Sequence, residues 1–196
     1  MGFFASKTLL SAVELELFTR LAKQPMTGKE IAAALQLCPR AVPDFPDALV
    51  ALKFLQREGD GPEARYSNTT EGAVFLDRNS PGYIGGILEM ANARLYRFWA
   101  DLTEGLRTGM PQNETKHSGE PMFTKLYADP ARLEQFMNAM SGISAGKSKA
   151  FARQFDFSKC NTLCDVGGAA GRFPAWSPQR IRTCVAPAST SPKFCR

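Results

Sequence analysis

The 196-residue chain is 44% hydrophobic and 22% charged, enough apolar material to bury a core and too much for a disordered or collagen-like polymer. Its net charge of +5 suggests at first a partner such as nucleic acid or an acidic membrane. The excess sits in one place, however: residues 174–196 carry Arg180, Arg182, Lys193 and Arg196 with no acid, and the first 173 residues hold 20 bases and 19 acids.

Five cysteines and no charged-then-apolar leader argue against a secreted disulfide scaffold and make the cytoplasm the expected location. Glu14, Glu16, Glu89, Arg94, Arg97 and Asp101 interrupt every candidate membrane span. Cys160 and Cys164 lack the third cysteine of a cluster motif, since Gly167 stands where it would fall, so no metal site is expected.

Leu9, Val13, Leu17 and Leu21, with Leu10 and Phe18 beside them, predict an amphipathic helix over 8–23 that ends before Pro25. Thr27-x-x-Glu30 reads as a capping box opening a helix over 28–36, with Ile31 and Leu35 inward. A third helix is expected over 45–57, with Leu49, Leu52 and Leu55 on its apolar face. Pro43 and Pro46 should remove its first turn. The Gly/Asp/Pro turn between Glu58 and Ala64, beside Tyr66, suits a small hairpin.

Three helices and a hairpin make a winged helix, a fold shared by DNA-binding regulators and dimerisation modules. A regulator is the alternative reading. Residues 40–58 weigh against it, because three bases there balance three acids, whereas a helix that neutralises phosphates should be basic.

Ile87, Ala91, Leu95, Phe98, Trp99, Leu102 and Leu106 predict a long helix over about 86–107. A polar loop with the only histidine, His117, follows. Asp129 and Pro130 then open a helix to about Lys149, with Leu133, Phe136, Met137, Met140 and Ile143 on one face. Pattern alone leaves core, dimer interface and ligand pocket open for both helices.

The sharpest local signal is Thr162-Leu163-Cys164-Asp165-Val166-Gly167-Gly168-Ala169-Ala170-Gly171. A β-prone run ends in an acid and a glycine-rich turn, where backbone amides can approach a ligand closely. Taken with FWADLTEGLRTG and MFTKLYADPARLEQFMNAM in the same order, it resembles the class I S-adenosylmethionine-dependent O-methyltransferases of the caffeic-acid, acetylserotonin and hydroxyneurosporene type, from about Leu9 to Phe173.

The resemblance implies a mainly α chain: a winged-helix dimerisation module over 1–80 with long interlocking helices, and connector and substrate-capping helices over 81–155. The start of a Rossmann-like cofactor domain follows over 156–173, and then a tail over 174–196. It implies that Gly167, Gly168 and Gly171 line the methionine part of S-adenosyl-L-methionine, with Asp165 beside its amino group. Met140 and Ser144 would flank the sulfonium, and Phe136, Met90 and Asn92 would face the acceptor. Ala169 departs from the family's third glycine.

From Thr162 only 35 residues remain, room for one βα unit where a doubly wound sheet needs several. Pro174 and Pro178 fall where a helix should follow, and the four-proline tail is expected to be irregular and out of frame. The family's ribose-holding acid and histidine base are missing, and His117 lies too early to be that base. No catalytic residue is therefore assigned. The expectation is a truncated O-methyltransferase chain, inactive alone, that forms a homodimer or pairs with full-length enzyme. The intact enzyme would act on a small-molecule acceptor without nucleic acid or membrane partners.

Overall fold

The structure, a computed structural model, describes residues 2–116, 119–166 and 182–186. The expected first helix is two: α1 (Gly2–Glu14) and α2 (Leu17–Leu21). Glu16 between them adopts a left-handed backbone (φ 56°), a turn that the unbroken leucine spacing does not announce. The bend lets Leu17 and Phe18 both reach zero exposure.

A short strand β1 (Met26–Thr27) leads into α3 (Gly28–Leu35), whose capping box is formed as expected. The Glu30 amide donates to Thr27 Oγ1 at 3.3 Å, and the Thr27 amide donates to Glu30 Oε2 at 2.7 Å. The third helix is shorter than the spacing predicts: α4 (Asp44–Ala51) starts after Pro43, buries Pro46 in its first turn, and is followed by Lys53 in the left-handed region. Leu55 therefore opens a strand instead of closing a helix.

The hairpin is present as β2 (Leu55–Glu58) and β3 (Arg65–Asn68), with Arg57 opposite Tyr66. β1 adds to its other side, giving the antiparallel order β1-β3-β2. The helices close over this sheet around Ala12, Val13, Leu17, Phe18, Ile31 and Leu49. All but Ala12 belong to the helical stripes of the sequence pattern, and their burial is the main force holding the module together. A helix without a sequence signal, α5 (Thr70–Phe75), ends the module, with the Thr69 hydroxyl accepting from the Gly72 amide at 3.0 Å.

The long connector runs in segments: α6 (Gly85–Met90), a π-helical turn over Ala91–Leu95, α7 (Tyr96–Phe98), a 3-10 turn over Trp99–Asp101, and α8 (Leu102–Thr108). α9 (Met122–Ala128) precedes α10 (Pro130–Gln154), which Asp129 caps by accepting from the amides of Ala131 and Arg132. Its apolar stripe is not core. Among its described side chains only Ala139 and Ser141 are buried, and Ile143 is exposed, as are Trp99, Leu102 and Leu106 on the connector.

The strand expected before the glycines is β4 (Thr162–Val166). The tail differs from the expected irregular segment, because β5 (Arg182–Ala186) pairs parallel to β4, with Asp165 opposite Val185. Arg182-Thr183-Cys184-Val185-Ala186 does not alternate polar with apolar residues, so the period-two signal of a half-buried strand is missing. Gly167, Gly168, Gly171 and His117 lie outside the described residues.

Replacing Thr27 with Ala removes the hydroxyl half of the capping box and leaves the residue-27 amide donating to Glu30. The variant should lose about 1 kcal/mol of stability in urea titrations, while Thr27→Ser retains most of it.

Candidate functional site

The residues that the family pattern singles out are carried by two elements. Phe136, Met140 and Ser144 are spaced by four on α10 and so share one helical face. Phe136 and Met140 are half-buried and Ser144 is exposed, and the Phe136 ring meets Phe123 of α9 edge to face with centroids 6.4 Å apart. Asp165 lies half-buried near the carboxyl end of β4, where open parallel sheets place their ligands.

The pair expected to face the acceptor lies on the connector. Met90 ends α6 and is buried, 5% exposed. Asn92 stands in the π-helical turn, where its Oδ1 accepts from Lys7 Nζ and its Nδ2 donates to Glu14 Oε2 at 2.6 Å, so the side chain ties the connector to α1. π-turns within α-helices often occur at functional positions.

What holds α10 in place was not apparent from the sequence. α6 and α10 cross at glycines: a Cβ on Gly86 would stand 3.3 Å from the backbone nitrogen of Ala139, and one on Gly142 3.3 Å from the Tyr83 carbonyl oxygen. A side chain at either position would make the facing backbone give by a few tenths of an ångström. Two glycines in separate helical stretches were the available signal, but nothing in the sequence shows that they face neighbouring backbone.

Beside the crossing lies a polar cavity of about 430 Å³, lined by Arg78, Tyr83, Glu89, Asn138 and Ser141 among others. Glu89 Oε1 accepts from the Tyr83 hydroxyl at 2.6 Å and from the Arg78 guanidinium. Burial, reinforced by that carboxylate, pushes the Tyr83 phenol up to about 12, so it remains a donor at neutral pH. Arg78 also pairs with Glu16 at 2.9 Å, and its amide donates to Thr19 Oγ1, which joins the winged-helix module to the connector.

A second ion pair anchors the loop after α8. Arg94, in the π-turn, pairs with Glu114, and both side chains are about 15% exposed. Burial works against the Glu114 charge, but the Arg94 guanidinium, a backbone amide and the Arg132 charge together outweigh it and hold the carboxyl below its ordinary value.

α4, the helix that would read DNA in a regulator, has Asp44 and Asp47 in its first turn and no base. Asp47 is further engaged by Arg57 at 3.3 Å and by the Tyr66 hydroxyl at 2.8 Å. A helix of this charge is unsuited to a phosphate backbone. No helix among the described residues is long and apolar enough to cross a membrane.

A winged-helix module passing through long helices into a parallel strand pair is the plan of a dimerisation domain joined to the opening of an α/β cofactor domain. Comparison with known proteins gives the same division. Residues 1–78 match the O-methyltransferase dimerisation domain, and residues 99–177 match the O-methyltransferase domain. The tetracenomycin polyketide synthesis 8-O-methyl transferase TcmO of Streptomyces glaucescens is 40% identical over 175 residues, covering 89% of this chain and 50% of that protein.

The crystal structure of human N-acetylserotonin methyltransferase in complex with S-adenosylmethionine superposes with a TM-score of 0.84 at 28% identity, covering 94% of this chain and 55% of that one. PigF with S-adenosylhomocysteine gives 0.78 at 26%, covering 95% and 56%. The chain thus belongs to the O-methyltransferase family that carries an amino-terminal dimerisation domain and uses S-adenosylmethionine. It spans about half the length of the curated relatives it matches.

Because the Glu114 carboxyl is held low in the folded state, its contribution to stability is present above its ordinary value and is lost as pH falls through the folded value. Arg94→Met leaves the carboxylate buried without its partner. The stability gap between wild type and this variant, read from urea midpoints, should be widest near pH ~6 and shrink towards pH ~3.

Proposed function

We propose that the chain is the dimerising and substrate-capping half of an S-adenosylmethionine-dependent O-methyltransferase, working in the cytoplasm. The whole enzyme would methylate a hydroxyl of a small aromatic or polyketide-like molecule. The observation that carries this reading is the joint placement of Asp165 near the end of β4 and of Phe136, Met140 and Ser144 along one face of α10.

When bound, the cofactor supplies an electrophilic methyl group on a sulfonium. In this reading the Asp165 carboxylate accepts hydrogen bonds from the cofactor's amino group, with Gly167, Gly168 and Gly171 giving backbone access to its methionine part. Met140 and Ser144 flank the sulfonium. Phe136 bounds the acceptor, and Met90 and Asn92 stay as substrate-side positions on the connector. A polarizable thioether at 140 tolerates flat acceptors of different outline. These residues contribute proximity and orientation, which can supply a large part of a transfer rate.

The chain's fit to the cofactor is incomplete. β5 pairs with β4 as a second strand should, yet residues 187–196 contain no Asp or Glu to hold a ribose. No residue is assigned as the base that takes the acceptor's proton. The isolated chain is therefore expected to bind S-adenosylhomocysteine weakly and to transfer no methyl groups.

A chimera joining residues 1–166 to the remaining half of TcmO tests the reading. It should methylate TcmO's acceptor, and Asp165→Asn within it should lower kcat/KM for the cofactor by about tenfold or more, roughly 1.4 kcal/mol. A chimera that folds and dimerises but is inactive would refute the proposal.

Dimerisation is supported by the family match over residues 1–78 and by the apolar surface on α1 and the connector, where Phe3, Phe4, Trp99 and Leu106 are 59%, 57%, 67% and 77% exposed. Large apolar side chains exposed in this way suit an interface between copies. The partner is a second copy, or a full-length enzyme presenting the same surface. Sedimentation at micromolar concentration should show a dimer, and Trp99→Glu should convert it to monomer with unchanged helicity.

A further inference from the structure

The winged-helix module contains a cavity of about 840 Å³ between α3, the turn after it and the β2–β3 hairpin. It involves none of the residues placed at the cofactor or the acceptor. Its walls are small and apolar: Ala32 and Ala33 from α3, Leu37 and Val42 from the following turn, and Pro62 and Ala64 from the hairpin. Proline rings at 39, 43 and 62 limit how far the walls can collapse when the space is empty. The volume falls within the roughly 300 to 1,000 Å³ of small-molecule sites.

The charge of the lining is one-sided. Lys29 and Arg57 contribute to it, and no carboxylate does. Lys29 forms no ion pair among the described residues. Arg57 contacts both Asp47 oxygens at 3.3 Å through Nη1 alone, so its Nη2 and Nε donors have no partner among the described residues. The guanidinium carbon lies 6.0 Å from the centroid of the Tyr66 ring. The Tyr66 hydroxyl is spent on Asp47, and burial together with that carboxylate pushes the phenol up to about 12, so the ring does not compete as an anion. An apolar slot with Lys29 on its α3 wall and Arg57 on its hairpin wall suits a flat hydrophobic acid, which stacks between the small side chains and places its anionic group against the guanidinium fork.

From this we infer that the winged-helix module carries a second small-molecule site, between α3 and the β2–β3 hairpin, for a flat aromatic anion such as a carboxylate or phenolate. The inference does not depend on the methyltransferase reading, since neither the cofactor strand nor α10 takes part in it.

Calorimetric titration of the full chain with 2-naphthoate, and with the neutral 2-naphthalenemethanol, tests it. Sub-millimolar binding of the acid is expected, with the alcohol about tenfold weaker. Lys29→Gln combined with Arg57→Gln should bring the two ligands to within about twofold of each other. Ala33→Phe, which fills the slot from an exposed helical position and should leave the helicity intact, should abolish binding of both. The site would be overturned by absence of acid binding, by equal binding of acid and alcohol to wild type, or by binding that survives Ala33→Phe. A shift from dimer to monomer on Ala33→Phe would instead make the slot a contact between copies, and would equally overturn it.

Discussion

The backbone approach at Gly86 and Gly142 is the constraint on which the rest of this architecture depends. A Cβ at either position would press on the backbone of the facing segment, so the two glycines set the distance between α6 and α10. α6 is continuous with the connector, and the connector is tied to α1 through Asn92. α10 carries Phe136, Met140 and Ser144 on a different side of its surface from the crossing. The dimerisation module and the face assigned to the cofactor are thus placed relative to each other through a close helix crossing that glycine permits.

The module's interior was legible because its signals are local. Thr27 and Glu30 are three residues apart, and the leucines of α1 to α4 repeat at helical intervals, so the capping box and most of the core follow from the chain itself. The bend at Glu16 and the early end of α4 before Lys53 were not legible. Both use left-handed backbone at residues whose side chains do not favour it, and tertiary packing decides such positions.

The site was legible to a different degree. Asp165 stood out through its strand and the glycines that follow. The apolar stripes of the connector and α10 could be located but not assigned, since periodicity marks a face that wants covering without saying what covers it. Asn92 shows the same limit from the polar side: its partners Lys7 and Glu14 lie 85 and 78 residues away in sequence. β5 was missed because its five residues sit among prolines, and its strand state depends on a neighbour in the sheet.

The connector's attachments to α10 and to the winged-helix module differ in kind. The glycine crossing rests on van der Waals contact, which salt does not screen. The grip of Arg78 on Glu16 and Glu89 is ionic, with the arginine side chain 47% exposed. Exposed pairs of this sort add little to stability, but they favour one orientation over another. Raising ionic strength would then weaken the joint between the module and the connector while leaving the crossing of α6 and α10 unchanged, so the two joints answer to different solution conditions.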